Sequence, residues 1–145
     1  MFCFEIGPSE TYDFYEGRNG WSFDAHIDLL LEHPKILSQL TPIQATAPVN
    51  TGLSPENSFL LDGYFAGLLH SGGAYTHPHG DGREEKEFAI NVCKEIFGLR
   101  YGEISLDKSG TAWTPWFYDI AWDLTIVLFD KRLRRMWLFA ITDTD

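Results

Sequence analysis

Three of the five histidines fall within ten positions, at His70, His77 and His79, and the last two belong to the run His77-Pro78-His79-Gly80-Asp81. Imidazoles two residues apart with a carboxylate close behind are donors that zinc or iron accepts, so His70, His77, His79 and Asp81 form a candidate metal set. A competing reading needs no metal. Gly72-Gly73 and Pro78 mark a solvated loop, and Asp81 stands where an acid caps the helix that follows.

The run resembles the opening of the H-x-H-x-D-H motif of metallo-β-lactamase-like hydrolases, over residues 77–81 alone. The resemblance implies a metal-dependent hydrolase with His77, His79 and Asp81 among its ligands. Position 82 is glycine where that motif carries a further histidine, and the family's α/β sandwich is far longer than this 145-residue chain. The expectation from the residues is therefore that His77 and His79 hold no transition metal tightly and that no cofactor is required.

A second constellation lies between Trp113 and Asp123, where Trp113, Trp116, Phe117, Tyr118 and Trp122 surround Asp119 and Asp123. The two aspartates share parity, so in an uninterrupted strand they share a face and form a candidate carboxylate pair for acid–base work, with the tryptophans lining a small-ligand pocket. The plainer reading makes the tryptophans core and the aspartates acceptors for the backbone of a bend. Nucleophilic catalysis finds no G-x-S-x-G, Walker loop, H-E-x-x-H or dinucleotide fingerprint. Cys3, in a strand-like run, and Cys93, inside a helical one, read as free thiols.

Charge points elsewhere. The chain carries a net −10, and residues 1–80 hold nine acids and two bases, net −7, against net −3 for residues 81–145. Such a balance argues against non-specific binding to nucleic acid or an anionic membrane, where cations must displace counterions. It suits capture of a basic protein. Glu10, Asp13, Glu16, Asp24 and Asp28 would supply rim charge, and Tyr12, Phe14, Tyr15 and Trp21 would supply aromatic anchors. In size and charge the chain resembles small cytosolic bacterial immunity proteins, which neutralise basic toxin domains, and that resemblance implies a non-catalytic binding role. Lys131, Arg132, Arg134 and Arg135 fit a solvated hairpin end. No Lys or Arg precedes Arg18 and no apolar run reaches a membrane span, so a cytoplasmic chain is expected. Oligomeric state is left open.

The elements that must position these residues follow from periodicity. Phe2, Phe4 and Ile6 alternate as a strand, Ser22 and Asp24 cap a helix over about 23–32, and Pro34 breaks it or begins another. Ser54-Pro55-Glu56 reads as a helix start, with the helix running over about 55–70 and Gly63 and Gly67 leaving room for another backbone. A helix over 82–97, stopped by Gly98, buries Phe88, Ala89, Val92 and Ile96. Tyr101 to Leu106 is a strand and Asp107-Lys108-Ser109-Gly110 a turn. The long alternation from Trp116 to Leu128 breaks near Asp119, and a hairpin carries the chain to Ile141. The predicted fold is one α+β domain over 1–145, with a helix-rich N-terminal half packed on a C-terminal antiparallel meander of about four strands.

Overall fold

The computed structural model describes residues 1–7, 24–72 and 81–143. Within them the fold is α+β. Strands β1 (Phe2–Glu5), β2 (Ser54–Glu56), β3 (Ile104–Ser109), β4 (Leu124–Asp130) and β5 (Arg135–Ile141) form one antiparallel sheet in the order β1-β5-β4-β3-β2. The helices are α1 (Asp24–Leu31), α2 (Pro34–Leu37), α3 (Leu61–Ser71) and α4 (Arg83–Phe97). The expected meander is β3-β4-β5, and the two N-terminal strands close its edges.

Both faces of that sheet are covered, which explains why β4 is buried at six consecutive positions from Thr125 to Asp130. Val127 and Phe129 enter one core with Met136, Leu138, Phe4, Ile27, Leu31 and Leu40. Ile126 and Leu128 enter the other with Leu106, Trp137, Phe65, Cys93 and Phe97. The sheet is thus the middle of three layers, with α1 and α2 on one side and α3 and α4 on the other.

Local signals place several boundaries. Pro34 opens α2, and the His33 side chain accepts from Lys35 N at 3.3 Å. Gly98 takes a left-handed φ of 64° and donates to Lys94 O, ending α4 as expected. Asp81 Oδ1 accepts from Arg83 N at 2.9 Å, but it is not the expected N-cap: that position is Gly82, which has no side chain to cap with. Cys3 and Cys93 are free thiols; Cys93 is buried, and that burial pushes its thiol up.

Three further expectations are corrected. Ser54-Pro55-Glu56 does not begin a helix: it pairs with Lys108, Asp107 and Leu106 as the edge strand β2, and α3 begins only at Leu61. Proline is tolerated there because an edge strand has one N–H side without a ladder partner. Asp107, Lys108 and Ser109 are not a turn but the second half of β3, paired with Val127, Ile126 and Thr125. The buried stripe of α4 is Ala89, Cys93 and Phe97, with Val92 and Ile96 half-buried beside it, whereas Phe88 is 58% exposed. The helix is rotated by about one residue from the expected face.

Candidate functional site

Among the described residues the sequence-predicted groups do not converge. His77 and His79 lie outside the described residues, as do Glu10, Tyr12, Asp13, Phe14, Tyr15, Glu16 and Trp21; Asp24 opens α1 with its side chain outside them too. His70 ends α3 exposed, its Nδ1 3.4 Å from Glu85 Oε1. Among the described residues no group of three or more His, Cys, Asp or Glu side chains is placed to hold a metal ion.

The segment from Trp113 to Asp123 is not a strand. It is a loop that turns at Asp119, whose φ is 58°, so the break near that residue is real and the shared parity of the two aspartates has no meaning there. Trp113 and Trp116 pack against the first core, Trp113 Nε1 donating to Thr125 Oγ1 at 2.8 Å and Trp116 meeting Phe117 edge-on at 5.2 Å. Asp123 is buried and works as a loop organiser. Its Oδ2 accepts from the backbone N–H groups of Tyr118 and Ile120, each at 3.0 Å, and its Oδ1 from the Thr142 hydroxyl. Burial alone would raise the Asp123 pKa, but the Thr142 hydroxyl and these N–H groups outweigh it and hold the carboxyl below the usual range.

That arrangement fixes where Trp122 goes. The loop holds Tyr118, Ile120 and Trp122 outward, and Trp122, 38% exposed, forms one wall of a groove of about 360 Å³ against α3. The opposite wall is α3 itself, with Gly63 and Gly67 one turn apart and Tyr64 and Leu68 beside them; Lys108, Asp123 and Leu124 complete the lining. No described atom lies within 4 Å of where a Gly67 Cβ would stand, so no described residue fills the space that the glycine leaves. The expected close backbone neighbour at Gly63 and Gly67 is absent among the described residues, where only Lys86 Nζ comes within 4 Å of a Gly63 Cβ position.

The groove's polar end is a three-residue network. Lys108 Nζ contacts Glu56 Oε1 at 3.1 Å and stands 4.2 Å from the centre of the Tyr64 ring, and the Tyr64 hydroxyl donates to Glu56 Oε2 at 3.0 Å. The Lys108 and Tyr64 bonds hold Glu56 below the usual carboxylate range. Burial alone would lower the Lys108 pKa, but Glu56 reverses this and keeps the ammonium above its ordinary value. Tyr64, Lys108 and Glu56 were not singled out by sequence, because their meeting depends on the β2–β3 pairing across about fifty residues.

Removing the organiser should release the wall. Asp123→Ala leaves two backbone N–H groups and Thr142 without their acceptor, which costs about 1–3 kcal/mol. The expected readout is faster amide hydrogen exchange at Tyr118 and Ile120 with the sheet still protected. The same contribution is present above the ordinary carboxylate range and is lost as pH falls through the lowered folded pKa.

No protein-family model matches the chain, and no curated protein or solved structure does so either. Among the described residues no helix is long and apolar enough to cross a membrane.

Proposed function

We propose that the protein binds a small molecule in the groove between α3 and the Tyr118–Trp122 loop. The observation that carries this reading is the space over Gly67 that no described residue fills, in a groove shared with a half-exposed tryptophan. Glycine inside a helix costs about 1 kcal/mol relative to alanine, and no packing contact among the described residues offsets that cost at Gly67. The groove's volume falls within the range of about 300–1,000 Å³ common to ligand sites, and its lining is apolar with a few converging polar groups.

Two substitutions test it. Gly67→Ala should stabilise the domain by about 1 kcal/mol, read as a higher unfolding midpoint. Gly67→Leu places a branched side chain in the groove, so aromatic fragments that bind the wild type should lose about tenfold or more in affinity, while the fold persists. Fragments bound equally well by Gly67→Leu and wild type would overturn the reading.

A second reading is capture of a basic protein, and the net −7 of residues 1–80 favours it. Glu5, Glu56 and Asp62 are paired with Arg135, Lys108 and Lys86. Asp28 accepts from Thr51 N and Oγ1, and Glu32 from Val49 N. The remaining acids of that half, Glu10, Asp13, Glu16 and Asp24, have side chains outside the described residues, and charge reversal there should slow association with a cationic protein at low salt.

A further inference from the structure

We propose that the outer edge of β1 accepts an uncharged, extended segment of another protein as a sixth strand of the sheet, with that segment's alternate apolar side chains entering the cleft between β1 and α2. The first observation is where the backbone groups of β1 go. Ile6 N donates to Arg134 O at 2.8 Å, so in this antiparallel pair Phe4 and Phe2, opposite Met136 and Leu138, also bond to β5, whereas the N–H and C=O of Cys3 and Glu5 point away from it. Among the described residues nothing bonds to these outward groups, and both residues are exposed. β1 holds no proline or lysine and no break in register of the kind that closes an edge. The opposite edge strand, β2, is three residues long with Pro55 at its centre.

The second observation is the space beside that edge. A cleft of about 510 Å³ is lined by residues 3–7 and, across from them, by Leu30 of α1 and by His33, Lys35, Ile36 and Gln39 in and around α2. Phe4 and Ile6 belong to the first core, on the side of those helices, so residues of an added strand that stand opposite them share that face and meet Leu30 and Ile36. Residues opposite Cys3 and Glu5 lie on the exposed side. These features narrow the occupant. A helix has no free peptide groups along its side to match those of Cys3 and Glu5. The β1 of a second copy supplies peptide groups but no side chains for the cleft, because its Phe4 is 4% exposed and already packed in its own core. The carboxylate and ammonium that line the cleft, Glu5 and Lys35, cancel, so an uncharged segment fits.

The probe is acetyl-Val-Thr-Val-Thr-Val-amide, titrated into the full chain while the Cys3 and Glu5 amides are followed by chemical shift and hydrogen exchange. At millimolar peptide both amides should shift, and their exchange should slow by about twofold or more, the factor that half-saturation gives. Only alternate N–H groups of an extended peptide face β1, so two further probes, N-methylated at the threonines or at the valines, should differ in affinity by about tenfold or more. Glu5→Pro removes one outward N–H without touching the bonds to β5 and should weaken binding of the unmethylated peptide by a similar factor, whereas Glu5→Ala, which loses the same carboxylate, should bind it as the wild type does. The methylated pair keeps the test decisive even where Glu5→Pro disturbs β1. Equal affinities for the two methylated peptides, or no slowing at Cys3 and Glu5 at millimolar concentration, would overturn the proposal. Slowing that follows protein concentration with no peptide present would overturn it too, by placing a second copy on the edge.

Discussion

Asp130→Ala should lower the unfolding free energy by about 3–5 kcal/mol, the cost typical of breaking a buried ion pair. Asp130 ends β4 with no exposed surface, and Arg100 grips it with both terminal nitrogens, Nη1 on Oδ1 at 3.3 Å and Nη2 on Oδ2. Arg100 Nη1 also reaches Glu103 Oε2 at 2.7 Å, and Leu133 N donates to Asp130 Oδ1 at 2.8 Å. One carboxylate therefore joins the end of α4, the start of β3 and the β4–β5 turn. Burial alone would raise the Asp130 pKa, but Arg100 and the turn N–H groups outweigh it and hold the carboxyl below the usual range. An unfolded aspartate titrates near pH 3.9, so this contribution is intact above about pH 4 and disappears as pH falls toward the lower folded value. Denaturant unfolding of wild type and Asp130→Ala at pH 7 and pH 3 checks both parts: a large gap at neutral pH that narrows in acid. A gap under 1 kcal/mol at pH 7 would show that the pair does not hold these elements together.

The second large effect separates two phenylalanines of one helix. Phe97→Ala should cost about 3–5 kcal/mol, because Phe97 is 2% exposed and packs edge-on against Tyr101 with ring centres 5.1 Å apart. Phe88→Ala should change stability by no more than about 0.5 kcal/mol, as for an exposed position without special contacts. Thermal unfolding of the two variants decides which face of α4 meets the sheet. Equal losses would contradict the observed rotation.

That rotation illustrates where single-chain reading stops. The α4 boundaries were legible because they are local: Glu84 and Glu85 in the first turn, Asp81 bonded to Arg83 N, and a left-handed Gly98. The face was legible only at Ala89, because Phe88, Val92 and Ile96 make as regular a stripe as Ala89, Cys93 and Phe97, and only packing against α3 and the sheet decides between them. The turn at Asp119 was likewise visible in an alternation too long for one strand. Ser54-Pro55-Glu56 misled because its local signals are those of a helix start, while its conformation is set by Leu106–Lys108 on a distant part of the chain.

The site divides in the same way. Trp122 and Asp123 were marked by residue type, and the structure gives them different tasks, one lining the groove and the other fixing the loop that carries it. Trp113 and Trp116 turned out to be core partners. Lys108 looked like part of a turn, and only its strand register brings it to Glu56 and Tyr64.

Amide chemical-shift mapping with a mixture of small aromatic fragments tests the groove most directly, because it asks the whole described surface at once. The expected perturbations cluster at Gly63, Tyr64, Gly67, Leu68, Trp122 and Leu124, with the Trp122 indole among the largest. Perturbations clustering instead along the cleft of about 510 Å³ beside β1, lined by Cys3, Glu5, His33 and Lys35, or appearing nowhere at millimolar concentration, would contradict a ligand site at α3.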